Sequence, residues 1–276
     1  MRLLVINPNI SESVSELIGD EARRAAAPGT EITMLTAPFG VAYIETRFEA
    51  LIGAYAAATL VAEHARGHDA VIIAAFGDPG VPGIREVLDI PVVGMTEAAL
   101  ASVCLLGNRF SIVAISRRIT AWYRESVEHN GLIGRLASIR SLDRPLRDIG
   151  AVQADHAARL RELCTAVVEE DGADAIILGG APLAGLARSI AGELPVPVVD
   201  GVSSAVKHAE TLVNLKPGTA RAGSFAPPPA KLNAGLPGPL RDLLRRRARA
   251  PPRSCRRPGR RAPRGCLARP GRRTRR

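Results

Sequence analysis

Aromatic side chains make up only 3% of the 276-residue chain, with five Phe, three Tyr and one Trp, and none lies beyond Leu244, so the Arg-rich end has no ring to stack on bases. Cysteine is scarce too: four are present, with no CxxC pair, so neither a disulfide framework nor a thiolate metal site is spelled out. Cys255 and Cys266 fall in the Arg-rich end, while Cys164 shares a helical face with Leu160, Val167 and Val168, and Cys104 follows Leu100 and Val103; both read as core thiols. The five histidines show no ligand spacing, with Gly67 between His64 and His68, so no metal and no other cofactor is expected. Long apolar runs are missing as well. Nothing approaches the ~20 residues of a membrane span, and the apolar run before Asn7 and Pro8 is too short for a signal-peptide core, so a cytoplasmic protein with no membrane partner is expected.

What charge there is lies unevenly. The net charge is +10, yet residues 241–276 hold 16 Arg against one Asp, which leaves the preceding 240 residues at about −5. Basicity is therefore a property of the tail and not of a binding groove in the body. Residues 245–276 are almost wholly Arg, Pro, Ala and Gly without periodicity, and read as a disordered tail whose contact with nucleic acid is at most non-specific.

The rest alternates strand and helix patterns. A strand over 2–7 meets the turn Asn7-Pro8-Asn9, and Ser13 with Glu16 has capping-box spacing for the next helix. After a second strand at 31–35, a loop from Ala37 to Thr46 leads into a long helix over 47–65, with Phe48, Leu51, Ile52 and Tyr55 on one side. Then come a strand at 70–75, a helix over 81–88, a strand at 91–94 and a helix over 96–106. The pattern then restarts. Arg109–Ser116 matches Arg2–Asn9, Asp174–Leu178 matches Asp69–Ile73, and Pro197-Val-Val-Asp200 matches Pro91-Val-Val-Gly94, each about 106 residues later. Three segments repeated in order predict an internal duplication.

The fold class expected is α/β: two pseudo-twofold-related lobes, each a parallel β-sheet flanked by helices. The first lobe covers 1–98, with 215–244 packing back on it, and the second covers 99–214. Ligands of open α/β sheets bind beyond the carboxyl ends of the strands, so the matching stretches Ala70–Gly80 and Ala175–Gly185 face a shared cleft.

Ile6-Asn7-Pro8-Asn9, Phe76-Gly77-Asp78-Pro79-Gly80 and Leu178-Gly179-Gly180-Ala181-Pro182-Leu183-Ala184-Gly185, with Pro91–Ser111 and Pro197–Lys207, resemble the hydantoin/allantoin racemase branch of the aspartate/glutamate racemase superfamily over residues 1–240. The resemblance implies a homo-oligomer that racemises a small amide, ureide or amino-acid derivative by moving a proton at the carbon next to a carbonyl. It also implies two thiols, one per lobe, that exchange acid and base roles. Here those two positions are Ala75 and Gly180, neither of which carries an ionisable group.

The resemblance and the loop positions together nominate Asn7, Asn9, Ile44, Phe76, Gly77, Ser116, Gly179 and Ala181 as substrate-binding residues. Asp78, Glu45 and Tyr43 are the candidate substitute acid/base groups, though Asp78 in a Gly-Asp-Pro-Gly turn and Asp200 before a helix also have the ordinary role of caps. Two other readings accompany the racemase: a carbanion-forming decarboxylase or lyase, and a non-catalytic small-molecule-binding protein on the same fold.

Overall fold

The computed structural model describes residues 1–143, 148–220 and 222–247. The expected tail lies outside the described residues from residue 248 onward.

In the first lobe β1 (Arg2–Asn7), α1 (Glu12–Ala25), β2 (Glu31–Thr36), α2 (Arg47–His64), β3 (Ala70–Ile73), α3 (Val81–Val87) and β4 (Val92–Gly94) form a parallel sheet of order β2-β1-β3-β4. After α4 (Met95–Val103) the second lobe repeats the plan with β5 (Phe110–Ala114), α5 (Thr120–His129), β6 (Leu136–Ser141), α6 (Val152–Asp155), α7 (Ala157–Glu169), β7 (Ala175–Gly179), α8 (Leu186–Ser189) and β8 (Val198–Asp200), in the order β6-β5-β7-β8. Every pairing is parallel, and the two orders are the same, as a duplication requires.

The period of two along β1 divides the core. Leu3 and Val5 face a large apolar cluster shared by both lobes, while Leu4 and Ile6 face a smaller one under α2 and α3. Into the shared cluster packs α9 (Gly201–Leu215), which meets α1 and α4, and α10 (Gly238–Arg247) lies against α2 and α3. Buried carboxylates tie the lobes on this side: Glu21 of α1 accepts from Arg188 of α8 and from Ser203 Oγ of α9, both at 2.6 Å. Glu210 of α9 accepts from the Ala27 amide and Thr30 Oγ1, both at 2.7 Å.

Several local expectations are corrected. The N-cap of α1 is Ser11, whose hydroxyl accepts from the Val14 amide; Ser13 lies inside the helix and bonds Ser11 Oγ instead. The long helix does have a capping box, but at Thr46 and Glu49. The apolar side carrying Phe48, Leu51 and Tyr55 points outward, and the buried side of α2 is Gly53, Ala56, Ala57, Leu60 and Val61. The helix expected over 96–106 stops at Val103, and α10 runs to Arg247, past the expected tail boundary at 245, while α6 and α7 are separated by a break at His156. Cys164 is fully buried, whereas Cys104, at the C-cap of α4, is only half-buried.

Candidate active site

The two strand ends that the sequence pairs are built alike. Beyond β3 the chain runs through Ala74, Ala75, Phe76 and Gly77 to an αL glycine, Gly80, before α3; beyond β7 it runs through Gly180 and a 3-10 turn at Ala181–Leu183 to an αL glycine, Gly185, before α8. Ala75 is 7% exposed and Ala181 5%, so these ends sit deep in the molecule. Among the described residues the amides of Phe76 and Gly180 donate to no protein acceptor.

Each loop is anchored by an aspartate, but from opposite sides. In the first lobe Asp78 lies in the loop itself, at φ +50°, and its two carboxylate oxygens accept from the amides of Thr96 and Glu97 at 2.8 Å, capping α4. Its carboxyl fills the space where a Cβ on Gly94 would go. Thr96 completes the tie by accepting from the Gly77 amide through Oγ1 at 2.5 Å. In the second lobe the counterpart of Gly94 is Asp200: it caps α9 through Val202 and Ser203 and reaches back to the Gly185 amide at 2.7 Å. Both aspartates therefore serve as caps.

Burial pushes the Asp78 carboxyl up to about 7, with the neighbouring Glu97 charge adding to the shift and the Thr96 and Glu97 amides opposing it. An unfolded Asp titrates near ~3.9, so between about pH 4 and 7 the folded state holds a proton that the unfolded state has released. Stability from this group is complete below that window and is lost as pH rises through it. In thermal melts, the Tm advantage of the wild type over Asp78→Asn is expected to shrink from pH 4 to pH 7.5; parallel curves would refute the raised carboxyl.

The lobes meet across these loops through three of the nine aromatic residues. Trp122 of α5 lies over Gly77, at φ +107°, where any Cβ would collide with the indole. Tyr123, also on α5, lies tilted against Phe76 with centroids 4.5 Å apart and borders Gly179. Ile115, after β5, stands 3.7 Å from where a Cβ on Gly180 would lie. None of Trp122, Tyr123 and Ile115 was marked by the repeat; the adjacent Trp-Tyr pair, in a chain so poor in rings, was the available signal.

The loop before α2 crosses to the second lobe. Glu45 accepts a hydrogen bond from Ser116 Oγ, with Arg118 Nε 3.8 Å away, and Arg47 pairs with Glu125 of α5, its Nε donating at 2.8 Å. Ser116 stands two residues beyond β5, whose last residue, Ala114, pairs with Gly179 of β7, and it holds Glu45 at that end of β5. Partial burial, with the charges of Glu45 and Glu49, raises the Tyr43 phenol, so Tyr43 stays protonated.

Asn7 and Ile44 are engaged within the first lobe. The Asn7 amide, fully buried, donates to Asn9 Oδ1, Ser15 Oγ and the Ser11 carbonyl, and so braces the turn. Ile44 packs on Gly53 of α2. Asn9 uses only its oxygen, accepting from Asn7 and the Ser11 amide; its Nδ2 is without a partner among the described residues although the residue is 6% exposed.

Against known proteins the whole body of the chain finds matches. A hydantoin racemase of Paenarthrobacter aurescens is 39% identical over 238 residues, spanning 84% of this chain and 99% of its own. Among solved structures, the allantoin racemase from Klebsiella pneumoniae superposes with a TM-score of 0.83 at 37% identity, covering 87% of this chain and 98% of its own. Unliganded arylmalonate decarboxylase, at 19% identity and a TM-score of 0.52 over 77% of this chain and 92% of its own, shares the fold alone. The Asp/Glu/Hydantoin racemase family description matches residues 3–209, which hold both sheets and both strand-end loops. With that span and those identities, the chain belongs to the Asp/Glu/hydantoin racemase family.

Proposed function

We propose that the chain is a hydantoin racemase-type isomerase that moves a proton at the carbon next to a carbonyl of a hydantoin, a ureide or an amino-acid amide. The reading rests on the relatives and, within the site, on Glu45, a carboxylate carried from the first lobe to the strand end of the second. Removing the proton leaves negative charge on the carbonyl oxygen. The unpartnered Asn9 Nδ2 and the free amides of Phe76 and Gly180 are the donors we assign to it. Glu45 takes the proton, and Tyr43, held as a phenol, supplies the acid for return. Ala75, Gly77, Gly179, Ala181 and Ser116 shape the walls, and Asn7 positions Asn9. Ala75 and Gly180 leave room where the resemblance expects thiols, which favours a substrate with a bulkier substituent.

In this reading the protein works in the cytoplasm as a homo-oligomer, with a first lobe of 1–98 and 215–244, a second of 99–214, and a tail that touches polyanions only through charge. The decarboxylase and the non-catalytic readings find no support in the relatives, which are named as racemases at 34–39% identity.

The test is deuterium uptake at C5 from D2O by enantiopure hydantoins and allantoin, with optical rotation followed in parallel. Uptake above buffer with loss of rotation is expected, falling by ~10²-fold or more in Glu45→Gln and in Tyr43→Phe. Uptake equal to buffer across the panel, with folded protein, overturns the proposal.

A further inference from the structure

The seam between the lobes holds a second cavity besides the cleft. It measures about 360 Å³ and opens between α3 and α5, with Arg85, Glu97, Trp122, Ser126 and Phe225 on its wall. None of Asn9, Tyr43, Glu45, Phe76 and Gly180, the groups assigned to the reaction, lines it. Small-ligand pockets commonly measure ~300–1,000 Å³ and gather at junctions between domains, and this cavity meets both conditions.

Its polar groups are only half used. Arg85 donates to the Val92 carbonyl through Nε at 3.0 Å and Nη2 at 2.7 Å, and Nη2 also pairs with Glu97 Oε1, which accepts from the Gly94 amide at 2.9 Å. Arg85 Nη1 and Glu97 Oε2 have no partner among the described residues, and neither has the Trp122 indole N–H. A positive donor and a negative acceptor thus stand side by side, held in place by the backbone, each with bonding capacity left over. Opposite them are two rings, Trp122 of α5 and Phe225, the latter from a 3-10 turn at Gly223–Phe225 that packs on α3.

We propose that this cavity binds a free α-amino acid with an apolar side chain. Arg85 Nη1 and the indole N–H are the donors for its carboxylate, Glu97 Oε2 accepts from its ammonium, and its side chain lies on the Trp122 and Phe225 rings. Other ligands leave part of this wall unanswered. A carboxylate without an amine puts a like charge beside Glu97, an amine without a carboxylate does the same at Arg85, and a phosphate meets the carboxylates of both Glu97 and Glu125. The assignment rests on the proposed function for its meaning: a hydantoin or an amino-acid amide yields an α-amino acid on hydrolysis, so the ligand is the end product of those substrates. Trp122 leans on Gly77, next to the Phe76 amide, so the ligand bears on a loop of the cleft. Binding is read without turnover, and failure of racemisation and failure of this site are therefore separate results.

Calorimetric titration of the full chain with leucine, as either enantiomer, or with phenylalanine should give saturable binding, at least ~10-fold tighter than isocaproate or isoamylamine, which lack leucine's ammonium or its carboxylate. Ser126→Phe, which puts a ring into the cavity from α5, should abolish it. Glu97→Gln keeps an acceptor for the Gly94 amide, and should weaken leucine at least ~10-fold while leaving isocaproate no weaker. Glu45→Gln should bind leucine as the wild type does. The proposal is overturned by an absence of binding heat up to ~10 mM amino acid, or by isocaproate or isoamylamine binding as tightly as leucine. A folded Ser126→Phe or Glu97→Gln that binds leucine unchanged overturns it too, as does loss of binding in Glu45→Gln, which would put the amino acid in the cleft.

Discussion

Cysteines placed at both strand ends, Ala75→Cys with Gly180→Cys, are expected to raise C5 proton exchange of the best hydantoin or ureide substrate by ~10²-fold or more over the wild type. In the proposed reading the donors to the carbonyl oxygen are present in the wild type, so the change adds thiols, one for each face of the carbon. Either thiol alone serves one face, and each single variant should gain less than the pair. The two positions differ in what the substitution costs. Ala75 already bears a Cβ in a nearly buried site, and a thiol extends it by one atom. Gly180 has φ +130° and ψ 136°, a region that side chains rarely enter, although the space around its Cβ is ordinary at 3.7 Å. Its peptide must swing, at ~1–3 kcal/mol, so the double variant should melt several degrees lower. A folded double variant with no gain in exchange would show that the donors do not meet a substrate carbonyl.

The second large effect concerns the cap exchanged between lobes. Gly94→Ala alone puts a Cβ into the Asp78 carboxyl, which must leave the Thr96 and Glu97 amides. Losing both bonds at the start of α4 is expected to cost ~2–4 kcal/mol. The second lobe shows the compensating arrangement, with Leu183 in the loop and the aspartate on the strand as Asp200. Asp78→Leu with Gly94→Asp copies it. Urea melts of the two single variants and the double should show the pair more stable than the sum of its parts by at least ~1 kcal/mol; strict additivity would mean that the two positions do not share one carboxyl site.

These effects show what could be read from the chain and what could not. The duplication was legible because strand ends and their turn glycines recur at one spacing, and it carried the common strand order and the pairing of Ala75 with Gly180. The caps at Asp78 and Asp200 were legible because a carboxylate before free helix amides is a local matter. The facing of α2 was not: Phe48, Leu51 and Tyr55 make one apolar side, Gly53, Ala57 and Leu60 another, and periodicity alone cannot say which of two apolar sides meets the sheet. Small residues won because α2 crosses close to the backbone at Pro8 and Gly80. The tie of Glu45 to Ser116 joins residues 71 apart, and no pattern within either segment announces it.

The indole over Gly77 has a consequence for how the cleft can be watched. Trp122 is the chain's only tryptophan, rooted in one lobe and resting on the loop of the other. The ultraviolet emission of the whole protein therefore comes chiefly from the seam between the lobes. Any separation of the two halves that wets that ring shifts its colour, and the protein carries its own optical gauge of the cleft.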